Sequence, residues 1–447
     1  MEELLSVVAA NLSMAGEDGE TFRREAASAL LAYSEDAQQL EGLLASKPGL
    51  AVVAALARTR AGLRDGLGAL VNLMAFANAS GEPAMDALVR ALASPKSVDA
   101  ACVAAASDAF EAATRRSALM FLQNLTTRPC GAEAVARREE AVTALTKRFA
   151  RRGAAAAAAE WADGFAAILQ NLSAQPTFRS LLLRRSTKIL GALLPQLLDG
   201  YLDAFGAASP GKRRGVAAAL RHCCHDKDEH FYLLSDLHAP TFALFALADA
   251  SDAARLANDD HEALALPGGA NWRDAAPPAV LREAAETLGD SKKREPDARV
   301  TLSLLEALLC LASTRRGREH LRKLKCYAVV KDCDVHFAPG RDDRDDPDVG
   351  GPQEVLVTAD TTPEPDESTL SEEDILRKGI ARVCADLASM LLRSEASGDD
   401  AQDEPERAET EKERAAAPAR IAARDARVEG LVALRARLAA QAAEEET

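Results

Sequence analysis

The chain has 447 residues, of which 48% are hydrophobic but only 4% aromatic, and its formal net charge is −15. Alanine and leucine dominate the apolar residues, and they favour helices, while the β-branched and aromatic residues that a sheet needs are sparse. The acidic excess argues against a general binding surface for nucleic acid or anionic lipid, and no apolar run is long enough to span a membrane. We therefore expect an all-α protein with no nucleic acid or membrane partner.

Residues 1–60 are predicted to form an N-terminal helical cap. Leu4, Val7, Val8 and Leu12 recur at helical spacing. The end of a repeat array presents one polar outer face to solvent, so a degenerate first unit is expected there. The beginning of the chain also lacks the positively charged segment of a secretory signal, and we predict a cytoplasmic protein.

A Leu-x-Asn-Leu motif recurs after residue 61. It occurs at Leu70–Leu73, Leu122–Leu125 and Leu169–Leu172, and the related Leu220–Cys223 occupies the next register. Successive key positions are 52, 47 and 51 residues apart, in the order Asn72, Asn124, Asn171 and His222. Armadillo and HEAT units have about 40 to 47 residues, and loop insertions account for the excess. The motif predicts an armadillo/HEAT-like α-solenoid over residues 61–392, with function on its concave face.

Two polar segments interrupt the repeats and a third follows them. Residues 249–296 are too polar and too rich in proline and glycine for packed helices, and they predict an insertion or long loop. The acidic, proline-bearing segment 339–370 predicts a mobile loop. A last packed helix is expected over Glu372 to Leu392, and residues 393–447 are predicted to form a disordered to weakly helical tail.

Two sequence patterns resemble a nucleotide-binding loop and a zinc site, but both are better explained as ordinary structural segments. Gly206–Lys212 matches G-x-x-x-x-G-K, but Arg213 follows where a phosphate loop needs Ser or Thr, and Pro210 removes a backbone donor. A second cluster has adjacent cysteines, which point about 100° apart on a helix and cannot both join four converging zinc ligands. Its members are His222, Cys223, Cys224, His225 and His230. We expect a non-enzymatic protein without cofactor or metal.

The cysteines are scattered through apolar helical sequence and are predicted to be reduced and mostly buried. They are Cys102, Cys130, Cys223, Cys224, Cys310, Cys326, Cys333 and Cys384.

The four ladder positions, Asn72, Asn124, Asn171 and His222, are candidate protein-binding residues. Asparagine is unfavourable inside a helix by several tenths of a kcal/mol, so its repetition needs a reason. The carboxamide could bridge to the backbone of a neighbouring helix, or it could pair with the backbone of an extended peptide in the groove. Both interpretations remain open.

Three basic residues, Arg213, Arg214 and Arg221, complete the candidate surface. In a chain of net charge −15 they form a candidate patch for acidic or carboxylate-bearing segments of a partner. Ordinary surface salt bridges to Asp226 or Asp228 are the alternative.

Several segments resemble an armadillo-like cytosolic co-chaperone family whose old name refers to a supposed relation to high-mobility-group genes. The resemblance extends over about residues 60 to 392 and is most specific between 212 and 327. It rests on Arg213–Val216, Leu220–Arg221, Cys223–Cys224, Arg294–Asp297, Leu305–Ala307, Gly317–Arg318, Leu321–Arg322 and Arg382–Cys384.

This resemblance implies a non-catalytic protein that binds a folding intermediate of translation elongation factor 2. It implies the cytosolic chaperonin as a further partner, and we expect the chain itself to be a monomer. His222 stands where the family is expected to have asparagine, and the segment 268–279 is longer than the family's loop. The tail after Arg393 has no counterpart, so neither segment takes over the family's function.

An armadillo-type peptide-binding adaptor, similar to the nuclear-import carriers, is the alternative function. Such adaptors pair their asparagine ladder with aromatic residues one turn earlier. That aromatic shelf is missing here, because the positions four residues before the ladder are Gly68, Met120, Ala167 and Ala218.

Overall fold

The computed structural model describes residues 2–150, 156–184, 193–202, 210–249, 293–337 and 371–392. All regular elements within these ranges are helices, which confirms the predicted all-α class. Among them, none is both long and apolar enough for a membrane crossing. The predicted acidic loop 339–370 and tail 393–447, and most of the insertion 249–296, lie outside the described residues.

The chain divides into two units, Met1–Cys223 and Cys224–Thr447. This division falls inside the predicted repeat domain, and the predicted domain boundaries stay a prediction. The helices of the first unit are α1 (Glu2–Asn11), α2 (Gly16–Tyr33), α3 (Ala37–Ala45), α4 (Lys47–Leu56), α5 (Leu63–Ala79), α6 (Glu82–Leu92), α7 (Pro95–Ala106), α8 (Ala112–Thr126), α9 (Pro129–Ala136), α10 (Glu139–Ala150), α11 (Ala156–Ser173), α12 (Pro176–Leu183), α13 (Leu193–Leu202) and α14 (Pro210–Cys224).

Helices α3 to α14 recur in sets of three. Several of these helices have a capping residue at the amino end: the side chains of Asp36, Ser46 and Ser94 each accept a hydrogen bond from a backbone N–H in the first turn of α3, α4 and α7. Proline occupies one of the first two positions of α6, α9 and α12. Equivalent helices of successive sets pack on one another, namely α6 on α9 and α9 on α12, α7 on α10 and α10 on α13, and α5 on α8 and α8 on α11.

Ion pairs recur between successive sets at matching places. Arg138, just before α10, binds Asp99 of α7 with an N–O distance of 2.7 Å, and Arg184, at the end of α12, binds Glu139 of α10 at 2.8 Å. The hydrogen bond from Arg184 holds the pKa of the Glu139 carboxyl below its usual value. Exposed pairs of this kind stabilise a fold only slightly. Both pairs link the region just before the second helix of one set to the second helix of the preceding set.

Glycine residues let the third helices α11 and α14 approach their neighbours closely. A methyl group built on Gly215 of α14 would lie 2.9 Å from the Cα atom of Ala166 in α11, and one on Gly164 of α11 would lie 3.3 Å from Leu119 of α8. The first distance is too short for any side chain. Gly215 is therefore required by the contact between α14 and α11.

An aromatic cluster anchors the third set to the second. The indole Nε1 of Trp161 donates a hydrogen bond of 2.8 Å to the carbonyl oxygen of Ala105, at the end of α7. The Trp161 ring stacks on Phe165 with centroids 5.4 Å apart, and Phe165 contacts Phe149 of α10 at 5.2 Å. Buried aromatic side chains of this size dominate the energy of a helical core.

The second unit contains shorter elements and a strongly apolar core. It holds a 3-10 helix (Lys227–Glu229), a π-helix (Tyr232–Asp236), α15 (Ala239–Leu247), α16 (Ala298–Ala312), α17 (Arg315–Lys323), α18 (Cys326–Phe337) and α19 (Glu372–Leu392). Helix α19 packs along α16, α17 and α18, and α15 packs on α16 and α18.

Buried arginines close the carboxyl ends of three of these helices. Arg294 donates to the Leu247 carbonyl at the end of α15, with an N–O distance of 2.6 Å, and pairs with Asp249 at 3.1 Å. Arg318 donates to the carbonyl of Ala312, which ends α16, and Arg322 donates to the carbonyl of Leu391 near the end of α19. Helix carboxyl ends carry unsatisfied carbonyls and partial negative charge, which a guanidinium satisfies.

We expect Gly215→Ala to lower the free energy of unfolding by about 1 to 3 kcal/mol, because the new methyl overlaps the backbone of α11. Gly42→Ala in α3 is the matched control, since a methyl there meets nothing within 4 Å. It is expected to stabilise its helix by up to about 1 kcal/mol. Urea unfolding of both variants checks this, and equal midpoints would contradict the close contact.

We expect Arg294→Met to destabilise the protein by about 3 to 5 kcal/mol, because it leaves the Leu247 carbonyl and the Asp249 carboxylate without their buried cation. Arg377→Met on the exposed side of α19, where Arg377 pairs with the exposed Glu373 at 2.6 Å, should change stability by less than about 0.5 kcal/mol. Urea unfolding again measures the difference. A loss no larger than that of the Arg377 control would be evidence against a stabilising role for the buried cation.

Candidate binding surface

The four ladder positions lie on the third helices α5, α8, α11 and α14, toward their carboxyl ends. The leucines on either side of the ladder residue are buried, as at Leu122 and Leu125, whereas the ladder residue itself is half-buried. Asn72, Asn124, Asn171 and His222 therefore occupy the border between the core and the exposed side of each helix.

Three ladder side chains donate hydrogen bonds to a hydroxyl of the preceding third helix or its equivalent. The amide nitrogen of Asn72 lies 2.9 Å from the Ser34 hydroxyl, just after α2, and that of Asn171 lies 3.2 Å from the Thr126 hydroxyl of α8. The ring Nδ1 of His222 lies 2.8 Å from the Ser173 hydroxyl of α11. The ladder thus links α5 to the end of α2, α11 to α8 and α14 to α11.

Each of these hydroxyls passes its own hydrogen to the backbone of its own helix. Ser34 donates to the carbonyl of Leu31 at 2.7 Å, and Thr126 and Ser173 donate at 3.0 Å to the carbonyls of Gln123 and Gln170. A hydroxyl has one hydrogen to donate and can accept others, so its oxygen is the acceptor for the ladder side chain. The result is a repeated amide–hydroxyl–carbonyl relay.

The relay explains how histidine can replace asparagine at position 222. Because Ser173 uses its hydrogen on Gln170, the His222 ring must carry a hydrogen on Nδ1 to complete the relay. The other nitrogen, Nε2, lies 2.9 Å from the Nη2 atom of Arg221 and accepts a hydrogen bond from it. Histidine therefore supplies the same donor as the amide it replaces and also orients Arg221.

Asn124 departs from this pattern. The hydroxyl position of the preceding helix, two residues after Asn72, is occupied by Met74, which is fully buried. Within the described residues the Asn124 side chain makes no hydrogen bond. A structural role therefore accounts for Asn72, Asn171 and His222, although the hydrogen bonds run to side-chain hydroxyls rather than directly to the backbone. The role of the ladder in binding a partner stays a prediction.

The three predicted arginines of α14 differ in their exposure to solvent. Arg213 is buried, with 8% of its surface exposed, and its part in binding an acidic partner stays a prediction. Arg214 is exposed, and Arg221, seven residues later on the same side of the helix, is half-buried. Arg213 and Gly215 are two residues apart and therefore lie on nearly opposite sides of α14, so the contact of Gly215 with α11 does not account for the burial of Arg213.

Other exposed residues on these helices were not among the predicted site residues. Arg116 and Met120 of α8 and Gln170 of α11 are exposed, and Met120 keeps 45% of its surface accessible. Gln170 and Arg221 both occupy the variable position of the Leu-x-Asn-Leu motif, and Arg116 and Arg214 lie seven residues before that position in their own helices. This common register is the sequence signal that could have identified them.

The residues of the rejected phosphate loop and metal cluster have structural contacts. The Lys212 ammonium lies 5.7 Å from the centre of the Phe149 ring, while most of the preceding loop, residues 203–209, lies outside the described residues. The His230 ring nitrogen Nε2 bonds to the carbonyl of Cys224 at 2.8 Å. In the described part of the chain, no three His, Cys, Asp or Glu side chains are grouped so as to hold a metal ion.

All eight cysteines are free thiols and six are buried, which confirms their predicted burial. Burial raises the pKa of the Cys102 thiol to about 12, with a smaller contribution from Asp99. A thiol with this pKa is a poor nucleophile at neutral pH.

Comparison with known proteins locates a match over part of this surface. Residues 109–267 match a family described as a domain of unknown function (DUF383), and this stretch contains Asn124, Asn171, His222 and the three predicted arginines. Over 168 residues the chain is 30% identical to a protein HGH1 homolog of Homo sapiens, covering 37% of this chain and 36% of that protein.

Further relatives have the same description. The protein HGH1 homolog of Danio rerio is 28% identical over 167 residues, with 37% of each chain covered. That of Schizosaccharomyces pombe is 45% identical over 47 residues, which is 10% of this chain and 13% of the relative. The chain thus spans little more than a third of the length of the longest matches.

We expect Asn171→Ala to lower the free energy of unfolding by about 1 kcal/mol, because the Thr126 hydroxyl loses its amide donor. Asn124→Ala removes no hydrogen bond of this kind and replaces a poor helix former, so it should be neutral or slightly stabilising. Urea unfolding of the two variants compares equivalent positions in successive helices. Equal losses at both positions would contradict the relay.

Proposed function

We propose that this chain, which is similar to the HGH1 homologues over 37% of its length, is a non-catalytic cytoplasmic co-chaperone. Its client is a folding intermediate of translation elongation factor 2, and the cytosolic chaperonin is its further partner. The client follows from the resemblance of residues 212–327 to the co-chaperone family and not from the names of the relatives. The chain acts as a monomer without cofactor or metal.

The proposed architecture is an armadillo-like α-solenoid. Its support is the succession of three-helix sets in the first unit, in which the first helices pack on their equivalents from α6 to α12, the second helices from α7 to α13 and the third helices from α5 to α11. Three-helix units that stack in this way bury a continuous core and leave one side of every third helix accessible. A surface built from such helices can cover an exposed client segment without enclosing it.

The proposed client-binding surface is the exposed side of α8, α11 and α14. The observation that carries it is the exposure of Arg116 and Arg214 at the same register of two of these helices, with Arg221 one further step along α14. Guanidinium groups bind carboxylates in paired hydrogen bonds, and the Gln170 amide can donate to and accept from an extended backbone. Acidic, extended segments of the client are the chemistry that this surface fits.

The affinity of this surface for its client should be moderate. A client that is still folding must leave once its domains have assembled, so the arginines serve recognition and association rate more than tight binding. Met120, exposed between them, adds an adaptable apolar contact.

A peptide-binding adaptor similar to the nuclear-import carriers is the second candidate. It is favoured by the Asn124 amide, which has no hydrogen bond within the described residues and lies on the exposed side of α8. It is disfavoured because the other ladder side chains are engaged in the relay and no aromatic residue stands one turn before them. Cargo with basic signals would also meet Arg116 and Arg214.

We expect Arg214→Glu to reduce the recovery of elongation factor 2 about five- to tenfold, because it reverses an exposed charge at the binding surface. Arg90→Glu is the matched control, since Arg90 on α6 is also exposed and its neighbouring carboxylate, Asp86, lies 4.0 Å away. The purified chain and both variants are used to capture proteins from a eukaryotic cytosolic extract, with mass spectrometry of the eluates. Circular dichroism verifies that both variants are folded.

The outcomes separate the function from the surface. If the Arg214→Glu variant still enriches elongation factor 2, the proposed binding surface is wrong and the proposed client is supported. Enrichment of basic nuclear cargo would favour the adaptor, and no enrichment of elongation factor 2 would refute the co-chaperone.

A further inference from the structure

Helix α17 in the second unit is unusually basic, and half of its basic side chains have structural partners. Arg315 pairs with Glu319 at 3.0 Å, Arg318 is buried against the carbonyl of Ala312, and Arg322 is buried against that of Leu391. Three basic side chains of this helix are not used in this way: Arg316, His320 and Lys323.

These three residues share one face of α17, because positions separated by four and seven residues lie within about 60° around a helix. The Arg316 guanidinium lies over the ring of Phe231, 4.0 Å from its centre. Phe231 directly precedes the π-helix Tyr232–Asp236, a rare geometry that often accompanies functional sites. Arg316 and Lys323 are exposed, and neither has an ion pair within the described residues.

The imidazole of His320 is half-buried beside these cations. Its Nε2 atom is buried without a hydrogen-bond partner in the described part of the chain. Burial, together with the positive charges of His238, Lys323 and Arg316, lowers the pKa of His320 to about 4. His238 is the residue before α15, and its backbone has a left-handed φ of 52°. A buried polar nitrogen without a partner is costly, and a bound acceptor would remove that cost.

We propose that Arg316, His320 and Lys323, with His238 beside them, form a binding site for a doubly charged oxyanion of the phosphate class. The planar guanidinium, held in place by the Phe231 ring, donates paired hydrogen bonds to such a group, and Lys323 contributes a compact charge. The bound anion offsets the repulsion among the cations, and His320 takes up a proton and donates from its buried nitrogen. The ligand is either free phosphate or the phosphoryl group of a modified partner.

The test follows the histidine ring signals of the full chain by NMR during titration with sodium sulfate, which is divalent throughout the pH range used. Sodium chloride at equal ionic strength is the reference. His320→Asn assigns the signal among the seven histidines. Sulfate is expected to raise the pKa of His320 by about one unit or more, since a nearby opposite charge favours the protonated ring.

Matched variants locate the site. Arg316→Gln and Lys323→Gln should each weaken sulfate binding about tenfold, the equivalent of one removed charge contact of about 1.4 kcal/mol. Arg315→Gln, next along the helix but paired with Glu319, should leave it unchanged. An identical response to sodium chloride, an unchanged His320 signal, or an equal loss in Arg315→Gln would each overturn the proposal.

Two further titrations distinguish the sources of the ligand. Tighter binding of O-phosphoserine than of inorganic phosphate would support the site and assign it to a phosphorylated partner. Tighter binding of inorganic phosphate would support the site and assign it to the free ion. Failure to bind either would overturn the proposal, whatever client the first unit binds.

Discussion

The hydrogen bond between a ladder side chain and the hydroxyl of the preceding helix fixes how the first unit is assembled. Each such bond contributes only about 1 kcal/mol, but a half-buried amide or hydroxyl without its partner costs more than the bond gains. A one-residue slip of α11 against α8 would separate Asn171 from Thr126. The same slip at α14 would move Gly215 away from Ala166 and bring a residue with a side chain to this close contact. The relay and the small residues therefore select a single register for α11 and α14.

Much of the fold could be predicted from sequence, but the partners of its polar residues could not. The all-helical class followed from composition, and the Leu-x-Asn-Leu motif located the carboxyl ends of α5, α8 and α11. The acceptors Thr126 and Ser173 stand two residues after the motif asparagines, where they complete an apparent glycosylation signal. Only the neighbouring helix shows that these hydroxyls receive the next ladder side chain. Met74 at the same position marks the one described third-helix contact in which the relay is interrupted.

The candidate surface was harder to predict because exposure depends on which side of a helix faces its neighbours. Arg213 and Arg214 are adjacent in sequence, yet one is buried and the other exposed. Several residues in the segments that carry the resemblance to the co-chaperone family are buried. Arg294, Arg318 and Arg322 donate hydrogen bonds to carbonyls at helix ends of the second unit. Much of the resemblance therefore lies in residues that stabilise the fold. The proposed client-binding surface relies instead on residues such as Arg116 and Arg214, which are exposed.

The contact of Arg322 with the end of α19 also bears on the order in which the protein folds. The guanidinium on α17 reaches a carbonyl 69 residues later in the chain, and α16 packs along the same late helix. Contacts of such large sequence separation form slowly and require that the later segment already exists. During synthesis, the apolar face of α16 to α18 that packs against α19 would stay exposed until Leu391 has left the ribosome. The second unit would therefore pass through a stage in which it needs protection itself.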